Sequence, residues 1–454
     1  MNLLNKIKYF EINFIISFMI SSIPILLITG PFLPDLALSI VCLIFLCNIF
    51  YKKKYKLLYN KFILLSLLWC SYLLLRSLFS QHIYLSFESS LFFFRFFLLS
   101  YIIYYLLNNY NPFVKNFFYT MFFCFFVLIV DGFIQFIFGY NLIGIPYNEN
   151  RISSFFNTEY ILGSYLSHLY PLLVAGIFII YSSNKKIIYI SFLLYIFIDV
   201  LIFLSGERKA FFNMFLSGLI FITLFNDFKI VRLFSIIISI FLIFIIVKNF
   251  EQPMQRMITQ TVYDLNINPT EQVNNNLEVN TDSDNFIETK NKSNKSIENK
   301  IYIFSKQHHA HFITASNIFT QNIIFGVGPK LFRIYCHDEK YKYVIEHDLT
   351  SIDGCSTHPH NFFLQLLSET GLIGFIPILF VFVLVSYLFI KQFIKLYFLK
   401  SFYLSNVQLS LLSCVAIYLW PIAPSGNFFG NWLSIVGFLP LGFILFYFNL
   451  IKND

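Results

Sequence analysis

The sequence predicts an all-α integral membrane protein with about twelve transmembrane helices and one long loop on the outer face. Two observations carry that prediction. Of 454 residues, 57% are hydrophobic and 20% aromatic, while only 12% are charged; a soluble domain carries about 25% charged residues. The apolar residues also gather in runs close to the ~20 residues a helix needs to cross a bilayer. A third observation, the placement of lysines, gives the orientation. The formal net charge of +8 is scattered among apolar segments, as in basic membrane loops, so membrane lipid and not nucleic acid is the expected surrounding.

The runs lie near 13–30, 35–51, 59–78, 88–107, 116–138, 160–182, 187–205, 210–226, 230–248, 361–390, 404–422 and 431–450. The first follows Lys6 and Lys8 without a small-x-small cleavage site, so an uncleaved span is expected rather than a signal peptide. Only Ser205-Gly206-Glu207-Arg208-Lys209 separates the spans near 187–226. The chain thus divides into nine spans over 1–248, a loop over 249–360, and three spans over 361–454. No internal repeat is visible, nor a pair of broken helices in matching halves, the usual sign of a secondary transporter.

Basic residues in short loops mark the cytoplasmic side. One alternate set of loops holds Lys6 and Lys8, Lys52 to Lys54 and Lys56, Lys115, Lys185 and Lys186, Lys229 and Arg232, Lys391, Lys395, Lys400 and Lys452. That set is expected inside, with both termini. The long loop then faces the periplasm or exterior. Arg151, Arg208 and Lys209 break the bias, and with His360 they fall on the outer side. Snorkelling of long basic side chains is the ordinary reading; a functional site is the competing one. Arg76 and Arg95 lie inside spans, where charge marks function by default. Arg95 is in the outer half of its span and is a candidate for the same cavity. Asp131 and Asp199 are candidate ion-pair partners.

Within the long loop, residues near 266–298 are too polar to bury a core and are expected to be a disordered insertion; two sequons there, beginning at Asn291 and Asn294, carry little weight. From about 299 to 322 the apolar pattern of Ile301, Phe304, Phe312, Ala315, Ile318 and Phe319 predicts a helix on the membrane surface or over a cavity. His308, His309 and His311 are expected on its solvated face, with a metal site as the alternative. Gly326-Val327-Gly328-Pro329 predicts a tight turn; without GK[ST] it is no phosphate-cradling loop. Cys336 and Cys355 share this loop, and a disulfide is expected if it is extracytoplasmic, with free thiols as the alternative. No compact Cys/His spacing like a zinc finger's is present. Cys42, Cys47, Cys70, Cys124 and Cys414 lie in apolar segments and read as small buried hydrophobes.

The stretch Thr357-His358-Pro359-His360-Asn361 through Gly374 stands where the loop re-enters an apolar helix. Pro359 suits the first helical position, which puts His360 in the first turn beside unpaired N–H groups. Asn361, Gln365 and Glu369 share one helical face. A neutral imidazole beside an anion site suits proton removal from a hydroxyl near a phosphate; a helix cap with ordinary bundle polarity is the plain alternative.

Three segments together resemble the O-antigen ligase and polymerase superfamily, membrane enzymes of bacterial surface-polysaccharide assembly with a GT-C-like architecture. Arg151-Ile152-Ser153-Ser154-Phe155-Phe156, running on to Gly163, is similar to the family's Arg-x-Ser-Gly-x-Phe segment. Ser205-Gly206-Glu207-Arg208-Lys209-Ala210 is similar to its Ser-Arg-Gly-Ala segment. Gly326-Val327-Gly328-Pro329 with His360-Asn361 and the helix to Gly374 is similar to its most diagnostic block. Ser154 stands for the usual Gly, Thr158-Glu159 for an Asn-Pro type pair, and Lys209 for a small residue.

The resemblance, over about residues 90–445, implies glycan transfer from undecaprenyl pyrophosphate on the periplasmic side of the bacterial inner membrane, with no metal, cofactor or nucleotide sugar. A ligase would use lipid A–core as acceptor; a polymerase would use another repeat unit, and a protein O-oligosaccharyltransferase a protein. Arg151 and Arg208 would hold the pyrophosphate by charge-assisted hydrogen bonds and His360 would be the general base. Asn361 and Glu369 would orient His360 or an acceptor sugar, with Arg95 and Arg333 as further substrate contacts. On one straight helix His360 and Glu369 point apart, so direct contact requires His360 to sit outside it. A lipid-linked glycan flippase and an assembly scaffold are the readings from other classes.

Overall fold

The computed structural model describes residues 3–148, 150–182, 184–264, 302, 305–347 and 350–451. The expected insertion near 266–298, its sequons, Ile301 and Phe304 lie outside the described residues. Helices α1 (Leu3–Leu26), α2 (Phe32–Tyr51) and α3 (Lys61–Leu78) lead to α4 (Ile83–Leu91) and α5 (Phe94–Asn109), which together replace the span expected near 88–107. There follow α6 (Pro112–Phe138), α7 (Leu162–Ile180), α8 (Lys185–Leu204), α9 (Arg208–Leu224) and α10 (Lys229–Asn249). Short turns α11 (Glu251–Met254) and α12 (Gln260–Asp264) leave the bundle. Helix α13 (Lys306–Gln321), the turn α14 (Phe332–Tyr335) and the hairpin Val344–His347 with Thr350–Asp353 belong to the long loop between α10 and α15. Then come α15 (Phe362–Tyr397), α16 (Asn406–Tyr418) and α17 (Asn431–Tyr447).

Each of the twelve expected spans has a helical counterpart. Among the described residues nine are long and apolar enough to cross a membrane; α9 has 17 residues, α16 has 13 and α17 has 17. The protein is thus a multi-pass membrane protein, and its helices are apolar for the reason membranes demand: a helix satisfies its own backbone hydrogen bonds where no water can. One departure from an all-helical chain is the antiparallel hairpin, in which Ile345 pairs with Ile352.

The core runs through the bundle centre. Aromatic rings mesh edge-to-face, as ring quadrupoles favour: Phe97 meets Phe438 at 4.7 Å and Phe93 meets Phe96 at 5.2 Å. A second, smaller core of Ala315, Ile318, Val327, Leu331, Phe332, Cys336 and Tyr341 holds the outer loop together. It seats α13 and the 326–332 turn over one end of the bundle, where the turns 139–161 and 205–207 also emerge. The opposite end carries the lysine-rich loops.

The intramembrane charges are settled inside the fold. Asp199 pairs with Arg232 through both oxygens, at 2.8 and 3.0 Å, although Arg232 reads in the sequence as a cytoplasmic loop residue. Asp131 accepts from Leu142 N–H at 2.9 Å, from the Asn141 amide at 3.2 Å and from the Ser154 hydroxyl at 2.5 Å.

Candidate active site

Helix α15 begins at Phe362, not at Pro359. Asn361 is its cap: backbone extended, side-chain oxygen accepting from Leu364 N–H at 3.0 Å, side-chain amide donating to Pro421 C=O at 2.7 Å. An asparagine oxygen satisfies one orphan N–H at a helix start, and that outweighs the preference of proline for the first turn. His360 therefore precedes the helix, with a left-handed φ of 54°. Such a conformation costs on the order of 1–3 kcal/mol and survives only where surroundings enforce it. Here the cap follows it, and Ser425 N–H donates to its carbonyl at 2.7 Å.

Asn361, Gln365 and Glu369 do share a face, and each fastens a different loop. Gln365 donates to Asn427 at 2.8 Å and accepts from Phe428 N–H at 2.9 Å. Glu369 accepts from Phe332 N–H at 3.1 Å and from Gln365 at 3.1 Å. One oxygen of Glu369 thus holds the 326–332 turn, and the other is taken by Gln365 on its own helix.

The helix is also broken, which periodicity did not reveal. Gly371 has φ 62° and ψ −168°, and the loop before α14 fills the gap in the ladder. Leu372 N–H donates to Ile323 C=O at 2.9 Å, while Val327 and Gly328 N–H donate to the Ser368 and Glu369 carbonyls at 3.0 and 2.7 Å. A Cβ on Gly326 would lie 2.4 Å from the Glu369 carbonyl carbon, so only glycine lets the two backbones touch. Arg76 donates to the Gly326 carbonyl at 2.7 Å and Tyr72 to that of Thr370 at 2.5 Å. The two halves of the diagnostic block are therefore one hydrogen-bonded unit, and Arg76 is its clasp.

Four imidazoles meet at His360. The ring of His358 is 4.1 Å away, that of His311 5.3 Å and stacked, and that of His308 5.5 Å and edge-on. His308 and His311 were expected on a solvated face; His311 is instead buried, 1% exposed, and His308 half-buried. They lie on the same stripe of α13 as Ala315 and Ile318, and that spacing was the available signal. Burial and neighbouring imidazoles push His360 down to about 4. Burial and then His311, Arg208 and His358 take His308 to about 4; burial lowers His358 to about 3. Removing an imidazolium from water disfavours its charge, so His360 stands neutral at pH 7, as a base must. Among the described residues no three of these imidazoles bring one nitrogen each within 4.8 Å of the others; the group with that spacing is Cys336, His337 and Cys355. Its two sulfurs are bonded to each other, Cα–Cα 5.0 Å, tying α14 to the segment that leads into His358.

The arginine segments converge from the other side. Gln135 accepts from Ser153 and Ser154 N–H at 3.1 and 2.7 Å. Ser154, at a φ of 51° that favours glycine, is held there by Asp131. Arg151 donates to the carbonyls of Ser205 and Tyr160 at 3.2 and 3.0 Å and stacks 4.5 Å over the Tyr160 ring. Glu207, just before α9, caps α7, accepting from Gly163 N–H at 2.6 Å and Ser164 N–H at 3.1 Å, and interacts electrostatically with Arg151. Arg208 opens α9 and acts electrostatically on His308; Lys209 lies 5.9 Å over the Phe362 ring, next to Asn361. Arg256, not singled out in the sequence, donates to Gly206 C=O at 3.3 Å, so a third arginine reaches the same turn. Arg333 acts on His358. Arg95 does not join them: it pairs with Asp35 at 2.6 Å and donates to Asn431 at 3.2 Å, tying α5 to α2 and α17.

Arginines and neutral imidazoles can together hold an anionic group and remove a proton beside it. A search of curated proteins gives no match. Residues 171–379, which hold Arg208, α13 and His360, match the family model described as O-antigen ligase, a match consistent with the ligase and polymerase superfamily.

Proposed function

We propose that the protein is an O-antigen ligase-type glycosyltransferase that moves a glycan from undecaprenyl pyrophosphate to lipid A–core at the periplasmic face of the inner membrane. The observation that carries the reading is the convergence at His360. This neutral, half-buried imidazole is in ring contact with His308, on which Arg208 acts, and Arg151 grips the turn that launches Arg208.

Arg151 and Arg208 hold the donor's diphosphate, with Arg256 beside them. Bidentate guanidinium contacts suit phosphate oxygens and stabilise the charge that develops as the leaving group departs. His360 removes the proton from the acceptor hydroxyl, whose oxygen attacks the anomeric carbon from the face opposite the diphosphate. The C–O bond to phosphorus breaks with its electron pair on the diphosphate. Asn361 keeps the His360 loop in register.

The test is lipopolysaccharide banding from a deletion strain complemented with wild type or His360→Ala. Loss of long glycan from the core, with polymer still on the lipid carrier, supports a ligase. Core carrying a single repeat unit supports a polymerase instead. Unchanged banding at normal protein level counts against the transferase reading.

A further inference from the structure

We infer that His308 is a proton-relay residue of this reaction: it takes from His360 the proton removed from the acceptor and holds it beside the departing diphosphate. The inference rests on the transferase reading above. Three observations single out His308 among the imidazoles around His360. Its ring meets that of His360 edge-on, at 5.5 Å between centroids and 82° between planes. Ring nitrogens sit at ring edges, so this geometry allows transfer directly or through one water. His311 instead stacks face on face at 27°, which holds the His360 ring without aiming a nitrogen at it. Next, Nδ1 of His308 is fixed 2.6 Å from the Ser305 hydroxyl, at the cap of α13, which leaves Nε2 for exchange. Finally, Arg208 acts on His308 whereas Arg333 acts on His358, so His308 is the imidazole on the diphosphate side.

The charges facing His308 are Arg208 from α9, His311 from its own helix, and His358 from the His360 loop. All disfavour an imidazolium while the donor is absent. A bound diphosphate reverses the sign of that field, because opposite charge nearby favours the protonated form. The balance then closes. The acceptor O–H bond breaks and its proton passes to His360. The new glycosidic bond forms as the C–O bond to phosphorus breaks. The proton moves to His308 and leaves on the lipid diphosphate.

The test uses the full-length protein in phospholipid nanodiscs, with an undecaprenyl-diphosphate-linked glycan as donor and lipid A–core as acceptor. His308→Gln is expected to lower kcat roughly 10- to 100-fold at pH 7, to leave the donor KM within about twofold, and to regain rate when imidazole is added. Ser305→Ala, which keeps the ring, is expected to lose only a few-fold and to show the same rescue. A His308→Gln protein with kcat within twofold of wild type would overturn the inference. So would a loss confined to donor KM, or one that imidazole does not move. Should His308→Gln fail to insert, Ser305→Ala alone decides: an unchanged kcat overturns the relay. Failure of wild type itself to transfer from this donor overturns the transferase reading and the relay with it.

Discussion

Two regions of the molecule hold arginines and treat them differently. In mid-bundle, Arg232 is wholly buried and both its terminal nitrogens meet Asp199, with the rings of Tyr170 and Tyr195 5.3 and 5.7 Å away. At the loop-bearing end, Arg151 donates to two backbone carbonyls, and Glu207 turns its oxygens to the N–H groups of α7. Arg232 is locked to one carboxylate that meets both its terminal nitrogens, whereas Arg151 is positioned by backbone carbonyls with the Glu207 carboxylate acting on it electrostatically. The difference separates an arginine that holds two helices together from one that holds two turns in place.

The largest effect should come from breaking the Asp199–Arg232 pair. Asp199→Ala leaves a buried uncompensated guanidinium and is expected to cost about 3–5 kcal/mol, read as a fall in thermal stability in detergent. The activity of whatever folds should stay near wild type. Next, Arg208→Ala should cost less thermal stability than Asp199→Ala and lower the transfer rate roughly 10²- to 10³-fold, the usual effect of removing one donor to developing charge. The opposite pattern in either variant would break the comparison.

Much of the fold was legible. Apolar runs near span length appear because hydrophobic length is a local property. What was missed is non-local. The break at Gly371 is made by loop carbonyls about 48 residues upstream by subtraction (371 − 323), which replace the helix's own acceptors. A single glycine in an apolar run does not announce that, although Gly326 and Gly328 at positive φ are its other half. Pro359 was placed by a local rule that the stronger cap of Asn361 overrode. The role of Arg95 was legible only as a charge, since Asp35, its partner, lies on another helix.

Titration sharpens the comparison further. A general base works deprotonated, and kcat/KM reports the free enzyme. Burial holds His360 at about 4, below an ordinary histidine, so kcat/KM should stay flat from roughly pH 8 to pH 5 and fall tenfold per unit only below the His360 value. A fall centred near 6.5 would show an imidazole in open water. The smallest effect belongs to the partly exposed pair of Arg95 and Asp35, 16% and 21% exposed: Asp35→Asn should cost at most about 1 kcal/mol of stability and leave the transfer rate alone.

The central claim is that His360 is the base of a glycan transfer. Its most direct test is the initial rate of transfer from the polyprenyl-diphosphate donor by wild type and His360→Gln protein in nanodiscs, at matched insertion. The account predicts a loss of roughly 10²- to 10⁴-fold in kcat with little change in thermal stability. Equal rates in the two proteins would contradict it.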